Sequence, residues 1–125
     1  MIPRYSRPGM THIWTDEGMY NRWLAVELAV CEAWTNKGVI PVEDMALIRE
    51  ATYDPEIMAS EFERTKHDVN SFLWSITPGL GPEGRWIHLG LTSNDVKDTA
   101  LAMQLRDAAD ILIADVDQFI EVLGQ

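Results

Sequence analysis

The segment spanning residues 86–100 constrains the fold more than any other part of the sequence, because it marks where a long helix begins. A short apolar approach carrying His88 runs to Gly90, and a helical pattern follows it. Thr92 and Asp95 have the spacing of a helix N-terminal capping box. Free backbone N–H groups and the positive end of the helix dipole would meet there. The pattern therefore predicts either a purely structural cap or an anion-binding site.

Helical periodicity also dominates the rest of the chain, and no segment has the pattern of a strand. Thr15 is predicted to cap a helix that ends at Lys37-Gly38. Within it, residues 23–31 are apolar apart from Glu27, which indicates a buried helix. After Thr92 the helical pattern continues to the last residues, where an apolar stripe suits packing in a helical bundle.

Shorter helices are predicted in the middle of the chain. Pro41 fits the first position of a helix that runs through about Ala51, and Asp54 fits the cap of the next one. Thr65 and Asp68 repeat the capping-box spacing ahead of a third apolar face. A histidine between them is therefore expected in the first turn of that helix.

The composition is that of an ordinary globular protein and excludes several classes of partner. A chain of 125 residues with 46% hydrophobic and 24% charged residues is expected to form one folded unit. No apolar run approaches the roughly 20 residues of a membrane span, and no signal-peptide pattern is present, so we expect no membrane partner. The single cysteine, Cys31, excludes an internal disulfide, fits a cytoplasmic location, and is interpreted as a core side chain.

The net charge of −10 argues against nucleic acid as a partner, because no basic stripe is available to neutralise phosphates. Such an acidic chain binds an anion only where basic groups or helix starts are locally concentrated. Arg4 and Arg7 form one basic pair near the N-terminus, in a segment whose prolines and glycine predict an irregular arm. No residue pattern indicates a metal or a cofactor.

Four stretches together resemble the adenylosuccinate lyase family of the fumarase/aspartase superfamily. Residues 84–96 are similar to the first signature region of that family, and residues 4–6, 13–17 and 66–69 occur in the family's order and at about its spacing. The resemblance covers essentially the whole sequence but only the N-terminal part of such an enzyme. It implies an all-α fold with an N-terminal helical domain over residues 1–91. It also implies that the first long helix of a central bundle begins at residues 92–125.

The resemblance also implies a substrate-binding role for particular residues. In that family an Arg-Tyr pair contacts the nucleotide, a His-Asp-Val segment lies in the active site, and the hydroxyls of the signature region line the same site. Carried onto this sequence, those substrate-binding residues are Arg4, Tyr5, His67, Asp68, Val69, Thr92 and Ser93. His88 is either a packed histidine or a residue at the border of the site.

The family's reaction is the elimination of fumarate from adenylosuccinate, giving AMP, and from the related succinylcarboxamide ribonucleotide of purine synthesis. Its general acid is a histidine and its general base a serine on a mobile loop, and both are expected beyond Gln125. The family forms homotetramers whose sites combine several subunits, so this chain alone is expected to be inactive. Two alternatives stay open: a sibling lyase or cycloisomerase, and a non-catalytic helical interaction module.

Overall fold

The computed structural model describes residues 2–124, and that part of the chain is all-α without a strand, as the sequence predicts. Two helices are long, and four shorter ones are packed around them. The α-helices are α1 Pro8–Ile13, α2 Asp16–Asn36, α3 Val42–Ile48, α4 Pro55–Thr65, α5 Asp68–Ile76 and α6 Ser93–Leu123, with 3₁₀ turns at Pro3–Tyr5, Thr77–Gly79 and Pro82–Trp86. The N-terminal arm, predicted to be irregular, therefore contains a 3₁₀ turn and the first residues of α1.

The ends of α2 are set by the residues that the sequence indicated. The Thr15 hydroxyl accepts a hydrogen bond from the backbone N–H of Gly18 at 3.0 Å, which caps the first turn. Gly38 follows the last turn with a φ of 75°, a left-handed conformation that glycine adopts without a steric penalty. Both predictions of the α2 ends are confirmed.

The prediction for α3 needs correction at both ends. Pro41 precedes the helix rather than occupying its first position, and the helix ends at Ile48 instead of reaching Ala51. After Ile48 the chain continues in a turn in which the Ala51 N–H donates to the Ile48 carbonyl, and Ala51 is buried in the core at 7% exposure. The predicted cap of α4 is confirmed: Asp54 accepts hydrogen bonds from two backbone N–H groups in its first turn.

The main hydrophobic core joins α2, α5 and α6. Its buried members are Trp23, Val26, Ala51, Val69, Phe72, Ile76, Val96 and Ala100. Phe72 is fully buried, and its ring lies edge-on to that of Trp23, with the centroids 5.4 Å apart. Each large side chain buried in this way contributes about 1.5–3 kcal/mol. The starts of α5 and α6 are therefore held against α2 by this core.

A second core cluster covers the C-terminal half of α2. Cys31 is 1% exposed there and packs with residues of α3 and of the segment before α6. Burial, assisted by the negative charge of Glu27, raises the pKa of the Cys31 thiol to about 11. The interpretation of Cys31 as a core side chain is confirmed.

The C-terminal half of α6 is uncovered in this chain. Its large apolar side chains are between 55% and 70% exposed: Leu112, Ile113, Val116, Phe119, Ile120, Val122 and Leu123. Spacings of three and four residues place most of them in one stripe. Within residues 2–124, none of the helices combines the length and the apolar character needed to span a membrane.

Candidate substrate-binding site

The start of α5 differs from the sequence prediction. His67 is the N-cap residue, one position before the helix, and its Nδ1 accepts a hydrogen bond from the backbone N–H of Asn70 at 3.2 Å. Thr65 is the last residue of α4 and does not cap α5. The predicted capping box is wrong because Lys66 adopts a left-handed conformation, with a φ of 52°, and separates the two helices.

The cap determines which ring nitrogen of His67 can donate a hydrogen bond to a ligand. With Nδ1 accepting a hydrogen bond, the neutral ring carries its proton on Nε2. The side chain is 44% exposed, so the Nε2–H group is available as a donor at the positive end of α5. This arrangement suits an anionic or carbonyl oxygen.

An ion pair joins the start of α5 to the first turns of α6. Lys97 Nζ donates a hydrogen bond to the Asp68 carboxylate at 2.6 Å, and the Val69 backbone N–H donates to the same carboxylate at 2.8 Å. Burial alone would raise the pKa of Asp68, but these two hydrogen bonds and the Lys97 charge outweigh it and lower that pKa. The two helix starts are therefore neighbours. The Val69 side chain itself is fully buried in the core.

Replacing Lys97 with methionine is expected to raise the pKa of Asp68, because the ion pair that favours the carboxylate is lost. Since the folded-state pKa of Asp68 lies below its ordinary value of about 3.9, its pairing stabilises the fold above that value. That stabilisation is lost as the pH falls through the lowered pKa. Titration of the Asp68 carboxyl carbon by NMR measures the shift.

Lys66→Met is the matched control, because the Lys66 amine pairs with Glu63 and not with Asp68. This variant should leave the Asp68 titration where it is in the unmodified chain. Equal shifts in the two variants would contradict the assignment of the low pKa to the Lys97 contact.

The start of α6 lies where the sequence places it. Thr92 is the N-cap, Ser93 is the first helical residue, and the Asp95 carboxylate accepts a hydrogen bond from the Thr92 backbone N–H at 2.8 Å. Thr92 is exposed and Ser93 is half-buried. The Asp95 N–H is taken by the cap, so the two hydroxyls and the backbone N–H groups of Ser93 and Asn94 are the donors left for a ligand at the start of this 31-residue helix.

The short apolar segment before α6 turns sharply. His88 has a φ of 66°, and Gly90 a φ of 77°. The turn is held to α2 by Glu27, whose carboxylate accepts hydrogen bonds from the His88 backbone N–H at 2.9 Å and contacts its Nδ1 at 2.6 Å. Left-handed backbone at a non-glycine residue costs of order 1 kcal/mol, which these two contacts offset. His88 is thus anchored on one edge, with 22% of its side chain exposed.

The start of α5, the first turns of α6 and the turn at His88 all contact one face of α2. Tyr20 and Asp68 line a cleft of about 280 Å³ beside the start of α5. One turn along, the Trp23 ring centroid lies 6.0 Å from Lys97 Nζ. One turn further, Glu27 holds the turn that leads into α6. The predicted residues near positions 67, 88 and 93 are therefore arranged around one helix.

Arg4 and Tyr5 are not part of this arrangement. Both are exposed, and Arg7 beside them pairs with Asp115 in the C-terminal half of α6. Asp115 is 22 positions after Ser93, and a rise of 1.5 Å per residue separates the two by roughly 30 Å. Within a single chain, the N-terminal pair and the helix starts are too far apart to hold the same small ligand.

Two residues near the site were not identified from the sequence. They are Lys97, which no motif in the sequence singles out, and Glu27, which lies in an otherwise apolar stretch. The signal for Glu27 was its position as the lone charge among residues 23–31, because an ionised group in a buried segment requires a partner. Among the described residues, no group of three or more histidine, cysteine or carboxylate side chains is placed to hold a metal ion.

Comparison with known proteins agrees with the resemblance found in the sequence. A family profile described as Lyase matches residues 4–125. The adenylosuccinate lyases of Bacillus subtilis (strain 168) and Staphylococcus saprophyticus are each 47% identical to this chain over 126 residues. Those alignments cover all of this chain, and this chain spans only 29% of the length of each relative. The crystal structure of a fumarate lyase from Mesorhizobium sp. BNC1 matches 78% of this chain and 24% of its own, with a TM-score of 0.69 and 24% identity, which supports the fold alone.

Proposed function

Because this chain belongs to the lyase family whose profile matches residues 4–125, we propose that it provides substrate-binding elements of an adenylosuccinate lyase. The proposed reaction is the elimination of fumarate from adenylosuccinate and from the succinylcarboxamide ribonucleotide. Identity of 47% over the whole chain to two enzymes of that name supports this choice over a sibling lyase or an interaction module. The proposed location is the cytoplasm.

The observation that carries the proposal is the ion pair between Asp68 and Lys97, which places the start of α5 next to the start of α6. The substrate carries a phosphate and two carboxylates, whereas the chain has a net charge of −10. Such a ligand is held only where positive potential is concentrated. Both helix starts supply that potential through their helix dipoles, and the start of α6 adds first-turn backbone N–H groups.

The proposed roles follow from the chemistry of each group. Elimination needs a base that removes a proton next to a carboxylate and an acid that protonates the departing nitrogen. Negative charge develops on the carboxylate-bearing part, and fixed donors near it lower the barrier. His67 Nε2–H and the Thr92 and Ser93 hydroxyls are such donors, and Asp68 orients Lys97. The residues that transfer protons are proposed to lie outside these 125 residues.

The separation of Arg4 and Tyr5 from the helix starts supports a site shared between subunits. We propose that this pair binds the nucleotide held at the helix starts of a neighbouring copy in a homotetramer. The planar guanidinium of Arg4 suits a phosphate because it donates two parallel hydrogen bonds. The exposed apolar stripe of α6, around Val116 and Phe119, supports packing of that helix in a bundle of several chains.

Fumarate release tests the proposal directly. The full-length protein, incubated with adenylosuccinate, is expected to produce fumarate, while the purified 125-residue chain is expected to produce none, because the proton-transfer groups are proposed to lie outside it. The absorbance change on conversion of adenylosuccinate to AMP provides the assay. Failure of the full-length protein to release fumarate from either nucleotide would contradict the proposed function, and fumarate release by the chain alone would contradict the division of the site.

A further inference from the structure

Glu27 is a fully buried carboxylate in the middle of α2, with 0% of its surface exposed. Burying an ionised carboxylate is costly unless hydrogen bonds and an opposite charge or strong donors compensate. An apolar side chain would fill the same space without that cost. The presence of a carboxylate here therefore requires an explanation beyond packing.

Both carboxylate oxygens of Glu27 are directed at a single residue. Oε2 accepts a hydrogen bond from the His88 backbone N–H at 2.9 Å, and Oε1 lies 2.6 Å from the His88 ring nitrogen Nδ1. Two contacts to one residue fix both the backbone turn and the orientation of the ring. They also account for a positive φ at a residue that is not glycine.

This contact determines which ring nitrogen of His88 carries the proton. An ionised carboxylate has only acceptors, so Nδ1 must donate, and the neutral ring then has an unprotonated Nε2. The Nδ1 edge faces the buried Glu27, and 22% of the His88 side chain as a whole is exposed. His67 has the reverse arrangement, because its Nδ1 accepts a hydrogen bond from Asn70. The two histidines thus present complementary atoms, a donor at His67 and an acceptor at His88.

We propose that Glu27 is a positioning residue that locks His88 in the Nδ1–H form and presents Nε2 as a hydrogen-bond acceptor beside the start of α6. The inference rests on the proposed function, because the acceptor serves a donor group of the substrate bound at the helix starts. Glu27 itself touches no substrate. It acts through the imidazole, as a carboxylate that orients a histidine in other sites does.

Glu27→Gln is the informative variant because it keeps the size of the side chain and replaces one acceptor by a donor. The amide oxygen can accept from the His88 backbone N–H, and the amide NH₂ then faces Nδ1. Nδ1 must become an acceptor, which moves the ring proton to Nε2. Glu32→Gln makes the same chemical change on the same helix, at an exposed residue paired with Arg49. It is therefore the matched control.

The tautomer is measured by ¹⁵N–¹H correlation spectra of the chain labelled at its three histidines, above the pH at which a histidine ring loses its charge. The His88 signals are assigned by their loss in His88→Asn. The unmodified chain and Glu32→Gln are expected to show a protonated Nδ1 and an unprotonated Nε2. Glu27→Gln is expected to show the reverse. A proton on Nε2 in the unmodified chain would overturn the inference, and this measurement stands even if the Glu27 variant does not fold.

Kinetics of the full-length protein supply the second readout. Glu27→Gln is expected to lower kcat/KM for fumarate release by about 10–100-fold, as removal of a group that orients a functional histidine does elsewhere. Glu32→Gln should remain within twofold of the unmodified enzyme. An unchanged kcat/KM in a Glu27→Gln enzyme with the reversed tautomer would overturn the positioning role. Absence of fumarate release by the unmodified protein would instead refute the proposed function, so the two failures are distinguishable.

Discussion

Replacing His67 with asparagine in the full-length protein is expected to lower kcat/KM for fumarate release by about 10²–10³-fold without disturbing the fold. The loss is that of one fixed donor to charge that develops in the transition state. Asparagine is among the best N-cap residues, so it can accept the hydrogen bond from Asn70 that the His67 ring accepts now. The variant thus separates the ring's contact with substrate from its role at the helix start. Steady-state fumarate release and circular dichroism measure the two effects.

His12→Asn is the matched control for this prediction. His12 is exposed on α1 and lies outside the arrangement of helix starts around α2. The control should retain the activity of the unmodified enzyme. A His67→Asn enzyme with undiminished kcat/KM would show that the ring has only a capping role. A loss of helical signal that parallels the loss of rate would assign the effect to the fold.

Replacing Phe72 with alanine is expected to destabilise the 125-residue chain by about 3–5 kcal/mol. Phe72 is fully buried on α5, and its ring packs against those of Tyr20, Trp23 and Tyr53, with centroids 5.4 to 6.1 Å apart. Removal leaves a cavity between α2 and α5, since helices packed on both sides limit its collapse. Small domains have roughly 5–15 kcal/mol of total stability, so this loss is a large share. Urea unfolding followed by circular dichroism measures it.

Phe62→Ala is the control of the same chemistry on a neighbouring helix. Phe62 is 42% exposed on α4, so its removal creates no enclosed cavity and should cost about 1 kcal/mol or less. Similar unfolding midpoints for the two variants would contradict the placement of the core between α2 and α5. An unfolding midpoint of Phe72→Ala equal to that of the unmodified chain would also contradict that placement.

The helix pattern was predictable because its signals are local. Capping residues such as Thr15 and Asp54 act within three positions of themselves, and the apolar periodicity of α5 directly indicates its buried face. The start of α6 at Ser93 was predictable for the same reason. At the start of α5, however, two local signals competed: Thr65 fitted a cap by spacing, but the left-handed Lys66 moved that role to His67.

The contacts between elements were not predictable from one sequence. Glu27 and His88 are 61 positions apart, and Asp68 and Lys97 are 29 positions apart. No local pattern links such pairs, because their contact depends on how α2, α5 and α6 pack. The turn at His88 was not predictable for the same reason, because the distant carboxylate of Glu27 holds its backbone conformation.

The predicted site residues near the two helix starts and those near the N-terminus lie in different parts of the chain. The resemblance implied one site for all of them, whereas the chain brings residues 67, 68, 88, 92 and 93 around α2 and leaves Arg4 and Tyr5 beside the far half of α6. A sequence pattern records which residues a site uses but not which subunit supplies them. The shared site therefore stays a proposal.

A crystal structure of the full-length protein with AMP and fumarate bound tests the central claim most directly. The claim is that the starts of α5 and α6 in one subunit flank the pocket that holds the anionic substrate. We expect ligand oxygens within about 3 Å of donors at His67 and at Thr92 or Ser93 of the same subunit. Ligand density remote from both helix starts in every subunit would contradict the claim.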